Sequence, residues 1–243
     1  MPLALLLAFL LAPLATLPAT ALADSSILIW PIDPRLEPDQ RATALWLENR
    51  GSGNALLQVR IFAWSQRDGE EHYQAQHEVV GSPPIVRVEP GARQLVRLTR
   101  LAPSAAGREH AYRILIDEVP TPQDDAVVGD GSGIRFRMRY SVPLFLAGPG
   151  LPSTAPQPEL SWRQVETGGK AYLEISNHGA HHARLTRVAF KRGDTRLSMN
   201  EGLLGYVLPG GHLRWPLQHP LAGGERLWAE INGQRGEISA APR

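Results

Sequence analysis

Three histidines crowd one short segment, Asn177-His178-Gly179-Ala180-His181-His182. Imidazoles at that spacing could ligate a metal, but no carboxylate lies within the motif, and Gly179-Ala180 reads as a hairpin tip. Paired acids occur at Glu70/Glu71 and Asp124/Asp125, both in polar, turn-rich stretches where solvated carboxylates are expected. There is no Gly-x-Ser-x-Gly nucleophile elbow and no phosphate-binding glycine loop. Cysteine is absent, which excludes thiolate nucleophiles, thiolate zinc sites and disulfides. These residues describe a non-enzyme, with no cofactor or metal expected.

A different chemistry, that of a binding surface, is written in Gly133–Leu146. In an extended chain alternate side chains point to opposite faces. One face is then Ile134, Phe136, Met138, Tyr140 and Val142, and the other is Arg135, Arg137, Arg139 and Ser141. Such a ribbon is either a half-buried strand with a basic solvent face, or an exposed edge that offers apolar teeth to another protein by strand addition. Residue pattern alone leaves both open.

The elements that must carry this ribbon are strands. Long apolar segments of helical period are missing, and short alternating segments recur instead. They cover Ile27–Ile32, Arg41–Asn49, Ala55–Trp64, Arg93–Thr99, Tyr112–Val119 and Arg135–Leu146. Turn signals separate them at Asn49–Asn54, Asp68-Gly69 and Pro90-Gly91, and Ser82-Pro83-Pro84 cannot lie in a central strand. Residues 121–133 read as a polar, glycine-rich loop. The segment 148–158 is rich in Gly and Pro and reads as a linker. Beyond it, Glu159–Val165, Lys170–Ser176, Arg184–Phe190, Leu203–Leu208, His212–Pro216 and Arg226–Ile231 read as further strands. The expectation is an all-β chain of two sandwich domains, 24–147 and 159–243, the first of immunoglobulin-like size. Six tryptophans fall at strand positions and suit core packing better than a sugar platform, with Trp30 and Trp64 the candidates for exposure.

Composition narrows the partners. With 25 basic and 24 acidic residues the net charge is +1, so no global field argues for nucleic acid. Residues 1–23 carry no charged side chain, hold the apolar run Leu3–Ala12, are broken by Pro13 and Pro18, and end in Ala21-Leu22-Ala23. That is the pattern of a signal peptide cleaved after Ala23. No later run is long and apolar enough for a membrane span, so stable membrane insertion is not expected, and export without cysteine fits a bacterial periplasm.

The segment Ser82-Pro83-Pro84-Ile85-Val86-Arg87-Val88-Glu89-Pro90-Gly91-Ala92-Arg93-Gln94-Leu95-Val96-Arg97-Leu98 resembles the signature of periplasmic pilus-assembly chaperones of the usher pathway. Tyr112–Pro120 looks like that family's next strand, and Ile134–Leu146 like its donor strand. The Trp-Pro-Ile opening at 30–32, Ser141-Val142-Pro143-Leu144-Phe145 and the lack of cysteine look most like the archaic, spore-coat-U-associated branch. The resemblance implies two immunoglobulin-like domains with a cleft between them. It implies as partners pilus, fimbrial or spore-coat-U-like subunits that lack their last strand, and an outer-membrane usher that receives them. Ile134, Phe136, Met138 and Tyr140 would fill the subunit's groove. The family's cleft cations anchor the subunit's C-terminal carboxylate. Here the donor-strand lysine falls at Pro143 and the first-strand arginine near Asp33–Arg35, so Arg113 is the best candidate anchor, with Arg97 and Arg35 behind it. Glu118 is the candidate for an interdomain ion pair. The rival expectations are a secreted β-sandwich adhesin or carbohydrate-binding module, with an exposed aromatic platform, and a one-domain pilus subunit.

Overall fold

The computed structural model describes residues 26–120, 137–151 and 158–242. The proposed signal peptide, Ile134 and Phe136 lie outside them. The described residues contain strands and no helix.

The first ten strands are β1 (Ile27–Trp30), β2 (Arg35–Leu36), β3 (Ala42–Asn49), β4 (Ala55–Arg67), β5 (Glu70–Ala75), β6 (Val79–Ser82), β7 (Ile85–Val88), β8 (Arg93–Arg100), β9 (Glu109–Glu118) and β10 (Arg139–Ala147). They form a four-stranded sheet ordered β1-β3-β8-β6 and a second sheet ordered β2-β10-β9-β4-β5, with β7 also on β4. Alternation assigns the faces. Leu45 and Leu47 of β3, Leu57 and Val59 of β4, Val96 and Leu98 of β8, and Ile114 and Ile116 of β9 are buried between the sheets in one core.

The remaining strands are β11 (Leu160–Thr167), β12 (Lys170–Asn177), β13 (Ala183–Arg192), β14 (Thr195–Val207), β15 (His212–Pro216), β16 (Arg226–Ile231) and β17 (Gln234–Ala240). They hydrogen-bond in the order β14-β13-β16-β17-β11-β12-β15 and enclose a separate core that includes Trp162, Leu173, Ile175, Phe190, Val207 and Leu227.

Both sandwiches are built around the same side-chain device. Asn49 Nδ2 donates to the carbonyls of Gly53 and Val88, and its Oδ1 accepts from Gly51 N. Asn177 Nδ2 donates to His181 and Val207, and its Oδ1 accepts from Gly179 N. Gly91 N and Gly210 N donate to the two asparagine carbonyls, at 2.8 and 2.9 Å. Each asparagine thus closes a turn after one strand and ties it to a Pro-Gly turn distant in sequence. Both are buried with every hydrogen-bonding group of the amide matched.

The chain leaves β10 through a close backbone contact. Gly148 N donates to Arg108 O, and a Cβ on Gly148 would stand 2.0 Å from Ala105 O, so only glycine fits there.

Candidate functional site

β10 pairs with β9 along its whole length, from Arg139 opposite Asp117 to Ala147 opposite Glu109. On its other edge it pairs with β2, in parallel, at Phe145 and Leu146 only. The ladder's phase can be read from one bond: Glu118 N donates to Met138 O. Residues opposite one another alternate between bonded and non-bonded pairs. Tyr140, Val142 and Leu144 therefore spend their backbone groups on β9, while Arg139 and Ser141 turn theirs to the outer edge. Phe145 follows the rule, since its N–H faces outward and donates to Pro34 O at 3.1 Å. Pro143, between them, has no N–H to offer. Among the described residues no strand occupies the edge beside Arg139–Leu144.

The side chains of this strand divide along its length. Val142, Leu144 and Leu146 are buried in the first core, and Tyr140 packs half-buried against it. The Tyr140 hydroxyl accepts a hydrogen bond from Ile27 N of β1. Met138, next on the same face, is 46% exposed. The core-facing row thus runs off the end of the protein's own sandwich at Met138. Asp117 braces the strand from β9 by ion pairs to Arg139 and Arg60. Burial would raise its carboxyl pKa, but the two guanidinium groups outweigh that and hold it below the usual range.

At its other end the strand enters the cleft between the domains. Phe145 shares a small core with Trp64, Tyr206 and Leu208. Arg113, opposite Pro143 on β9, lies with its guanidinium 3.6 Å from the centre of the Trp64 ring. It is 8% exposed, and its Nη2 is 3.5 Å from Glu71 Oε1, while its Nε is buried without a partner. A cation held this way, stacked and only loosely paired, can take a second carboxylate. Glu71 also accepts from the Tyr73 hydroxyl. Burial first, and then this bond, push the Tyr73 phenol up to about 12.

The domains are locked by polar side chains. Gln66 Nε2 donates to Tyr206 O at 2.8 Å, and Gln66 Oε1 accepts from Leu208 N at 2.9 Å. The Asp68-Gly69 turn, both residues at positive φ, brings Gly69 O within 3.1 Å of Arg214 N. Glu109 accepts from His182 Nδ1 at 2.5 Å, its backbone N donates to Ala180 O, and His182 stacks on Phe145 with ring centroids 3.6 Å apart.

Several residues are placed differently from the sequence expectation. Glu118 is at the far end of β9, beside Met138; the interdomain carboxylate is Glu109, at the near end of the same strand. Arg97 belongs to β8 and points outward from the four-stranded sheet, away from Arg113 on the other sheet, because Val96 and Leu98 take the core face. Arg35 lies opposite Phe145 and approaches His182 Nε2 at 3.5 Å, so it shares the cleft with Arg113. Tyr140 turns to its own core. Trp64 is 4% exposed, not a surface ring. His178 bonds Ser161, and His181 and His182 both face Glu109, so the histidine cluster serves the turn and the domain contact. Gln66 and Glu109 had no signal in the sequence, since both are polar residues at strand ends and only the second domain buries them.

No curated protein sequence matches the chain. Residues 35–152 match the family model described as pili and flagellar-assembly chaperone, PapD N-terminal domain. The chaperone of the CsuC–CsuE pre-assembly complex, from the archaic chaperone-usher Csu pili of Acinetobacter baumannii, is 29% identical. That match covers 89% of this chain and 100% of the other, with a TM-score of 0.74. The CupB2 chaperone of Pseudomonas aeruginosa, at 18% identity, 86% and 96% coverage and a TM-score of 0.58, has the same fold. So does the YadV chaperone, at 18% identity, 87% and 96% coverage and a TM-score of 0.60. The match to the amino-terminal domain, the tandem sandwiches and the edge strand running between cleft and tip agree: residues 35–152 form an amino-terminal domain of the pilus-assembly chaperone family, and the whole chain shares the two-domain fold of the Csu chaperone.

Proposed function

We propose that this chain is a chaperone of the archaic branch that binds pilus or spore-coat-U-like subunits in the periplasm and passes them to an outer-membrane usher. The family is one of chaperones rather than enzymes, and it works in the periplasm. Export would remove residues 1–23, leaving domains at 24–147 and 159–243 joined by 148–158. The observation that carries the proposal is the open outer edge of β10, where Arg139 and Ser141 present backbone groups. An unfinished sandwich placed beside that edge gains a strand by main-chain hydrogen bonds, which read backbone and so tolerate different subunits. In the sequence the apolar alternation continues as Met138, Phe136 and Ile134, and these side chains would fill the groove, each contributing about 1.5–3 kcal/mol when fully buried. Arg113, with Arg35 across Phe145, receives the subunit's terminal carboxylate in the cleft. The adhesin reading has no comparable support, since the relatives are chaperones and Trp64 is buried.

Double replacement Phe136→Ala and Met138→Ala is the test, read by the amount of co-expressed subunit recovered soluble and bound in periplasmic extract. A sharp fall is expected, and capture at the wild-type level would overturn the lent-strand mechanism. Arg113→Ala is expected to reduce capture while Arg113→Lys restores part of it.

A further inference from the structure

The outer face of the second domain carries a cationic cup unrelated to the strand edge or the cleft. β13 loses register with β14 twice between Leu185 and Val188, and Arg187 sits at φ 51, a conformation that non-glycine residues rarely adopt. A bulge of this kind re-aims a side chain. Arg187 lines a cavity of about 260 Å³ together with Lys191, Arg196, Arg235, Trp228 and the carboxylates Glu201 and Glu230. Ala189 lies directly opposite Trp228 on the neighbouring strand, so the small side chain leaves the indole standing as a wall.

The charges around this wall do not cancel. Arg187 is paired with Glu230 at 2.9 Å, Arg196 with Glu201 at 3.6 Å, and Arg226 with Glu237. Lys191 Nζ stands 4.7 Å from the Trp228 centroid and the Arg235 guanidinium 5.9 Å from it. Neither has a carboxylate at ion-pair distance among the described residues. Both cations line the same cavity beside one ring, so an anion held in it gains from both charges. Two uncompensated charges match a phosphate monoester, which carries about −1.5 to −2 at neutral pH, better than a single carboxylate. Arginine and lysine supply the donors such a group needs.

We propose that this cup binds a phosphate group, with Lys191 and Arg235 as its principal contacts and Trp228 as its wall. The group could come from free phosphate or from a lipid headgroup, and the experiment separates them. The full-length mature protein is titrated with inorganic phosphate, and separately with phosphatidylcholine vesicles with and without phosphatidic acid. Side-chain NMR signals of Lys191 and Arg235 and the fluorescence difference between wild type and Trp228→Phe are followed. Saturable shifts with phosphate identify a soluble ligand, and binding only to vesicles with phosphatidic acid identifies a headgroup. In either case the Lys191→Ala/Arg235→Ala variant should bind about tenfold or more weakly. Its unfolding midpoint should match the wild type, as both residues are at the surface. No response to either probe, or equal binding by the double variant, would overturn the proposal.

Discussion

Replacing Ser141 by proline tests the phase of the β10 ladder directly. Ser141 is exposed and opposite Leu115, at a position where the bond between Glu118 N and Met138 O requires its N–H to face away from β9. Proline there costs no ladder bond inside the protein, and an outward-facing N–H on an edge is where sheets tolerate it. The incoming subunit strand, however, loses one donor and keeps a buried carbonyl unmatched, a cost of about 1–3 kcal/mol, or roughly 5- to 150-fold in the capture equilibrium. Val142→Pro is the matched control. It is one residue away, 7% exposed and in a bonded pair with Ile114, so it removes an internal bond and disturbs the core. A penalty of about 3 kcal/mol or more lowers the melting temperature by about 6 °C or more. Thermal unfolding and subunit capture, measured on both variants, give opposite expected patterns: Ser141→Pro folds but captures poorly, and Val142→Pro loses stability. A stable Ser141→Pro that captures subunit like wild type refutes the edge assignment, and equal destabilisation by the two refutes the phase.

Gln66→Leu strands the buried Tyr206 carbonyl and Leu208 N–H, at about 1–3 kcal/mol each; calorimetry should show a lower transition that separates into two, and one unchanged transition would contradict a polar lock between the domains. Asn49→Ala and Asn177→Ala each remove three side-chain bonds of a buried amide, and each should cost about 2–4 kcal/mol in urea unfolding, felt first in the domain that carries the change. An effect under about 0.5 kcal/mol, usual for surface sites, would rule out the hub role. Glu174 is 1% exposed; burial pushes its pKa up, but Arg214 and Arg163 outweigh that and lower it. Its stabilisation is complete above the unfolded carboxyl pKa and is lost as pH falls through the lower folded value, so Glu174→Gln should flatten the acid side of the stability curve. Equal slopes below about pH 4.5 in both proteins would show that the pair carries no acid sensitivity.

Most strands were legible because alternation in this chain is also burial. His212–Pro216 and Arg226–Ile231 fall where the pattern puts them, and Leu57 and Val59 face the core as their spacing requires. β4 runs on to Arg67 where the apolar pattern stops at Trp64, since Ser65, Gln66 and Arg67 are polar; Gln66 is used to reach the other domain. β2, β5, β6, β7 and β17 were missed: β2 has two residues, β6 and β7 have four each on either side of Pro83-Pro84, and β5 and β17 are largely exposed, so no long buried face marks them. Arg113 stood out because it lies on the strand paired with the proposed donor strand. Its partners Trp64 and Glu71 come from β4 and β5, and only pairing in space reveals them. The error at Glu118 was one of direction, since either end of β9 offers a glutamate and the order of the sheets decides which one meets the second domain.

The physical requirement on a lent strand is that it serve its own core and leave something over. β10 meets it by dividing its functions along its length and across its two edges. Val142, Leu144 and Leu146 are fully committed to the first sandwich, so the strand is held in place before any partner arrives. β2 then covers its outer edge only at Phe145 and Leu146, and Pro143 ends the donor series just short of that cover. What remains open among the described residues is a short stretch, flanked on one side by the arginine face and on the other by Met138. An edge this short and this charged is protected from pairing with random chains, as charge and proline on an edge discourage it. On the proposed mechanism a partner matches the backbone at Arg139 and Ser141, accepts the apolar row beyond Tyr140, and places a carboxylate near Arg113. Selectivity then comes from meeting all three at once along a strand whose position β9 has already fixed. Met138 and Arg113 share no partner and lie apart along this strand, so removing both contacts should lower capture by the product of the two single effects, and a much smaller combined loss would show that they do not act on one bound subunit.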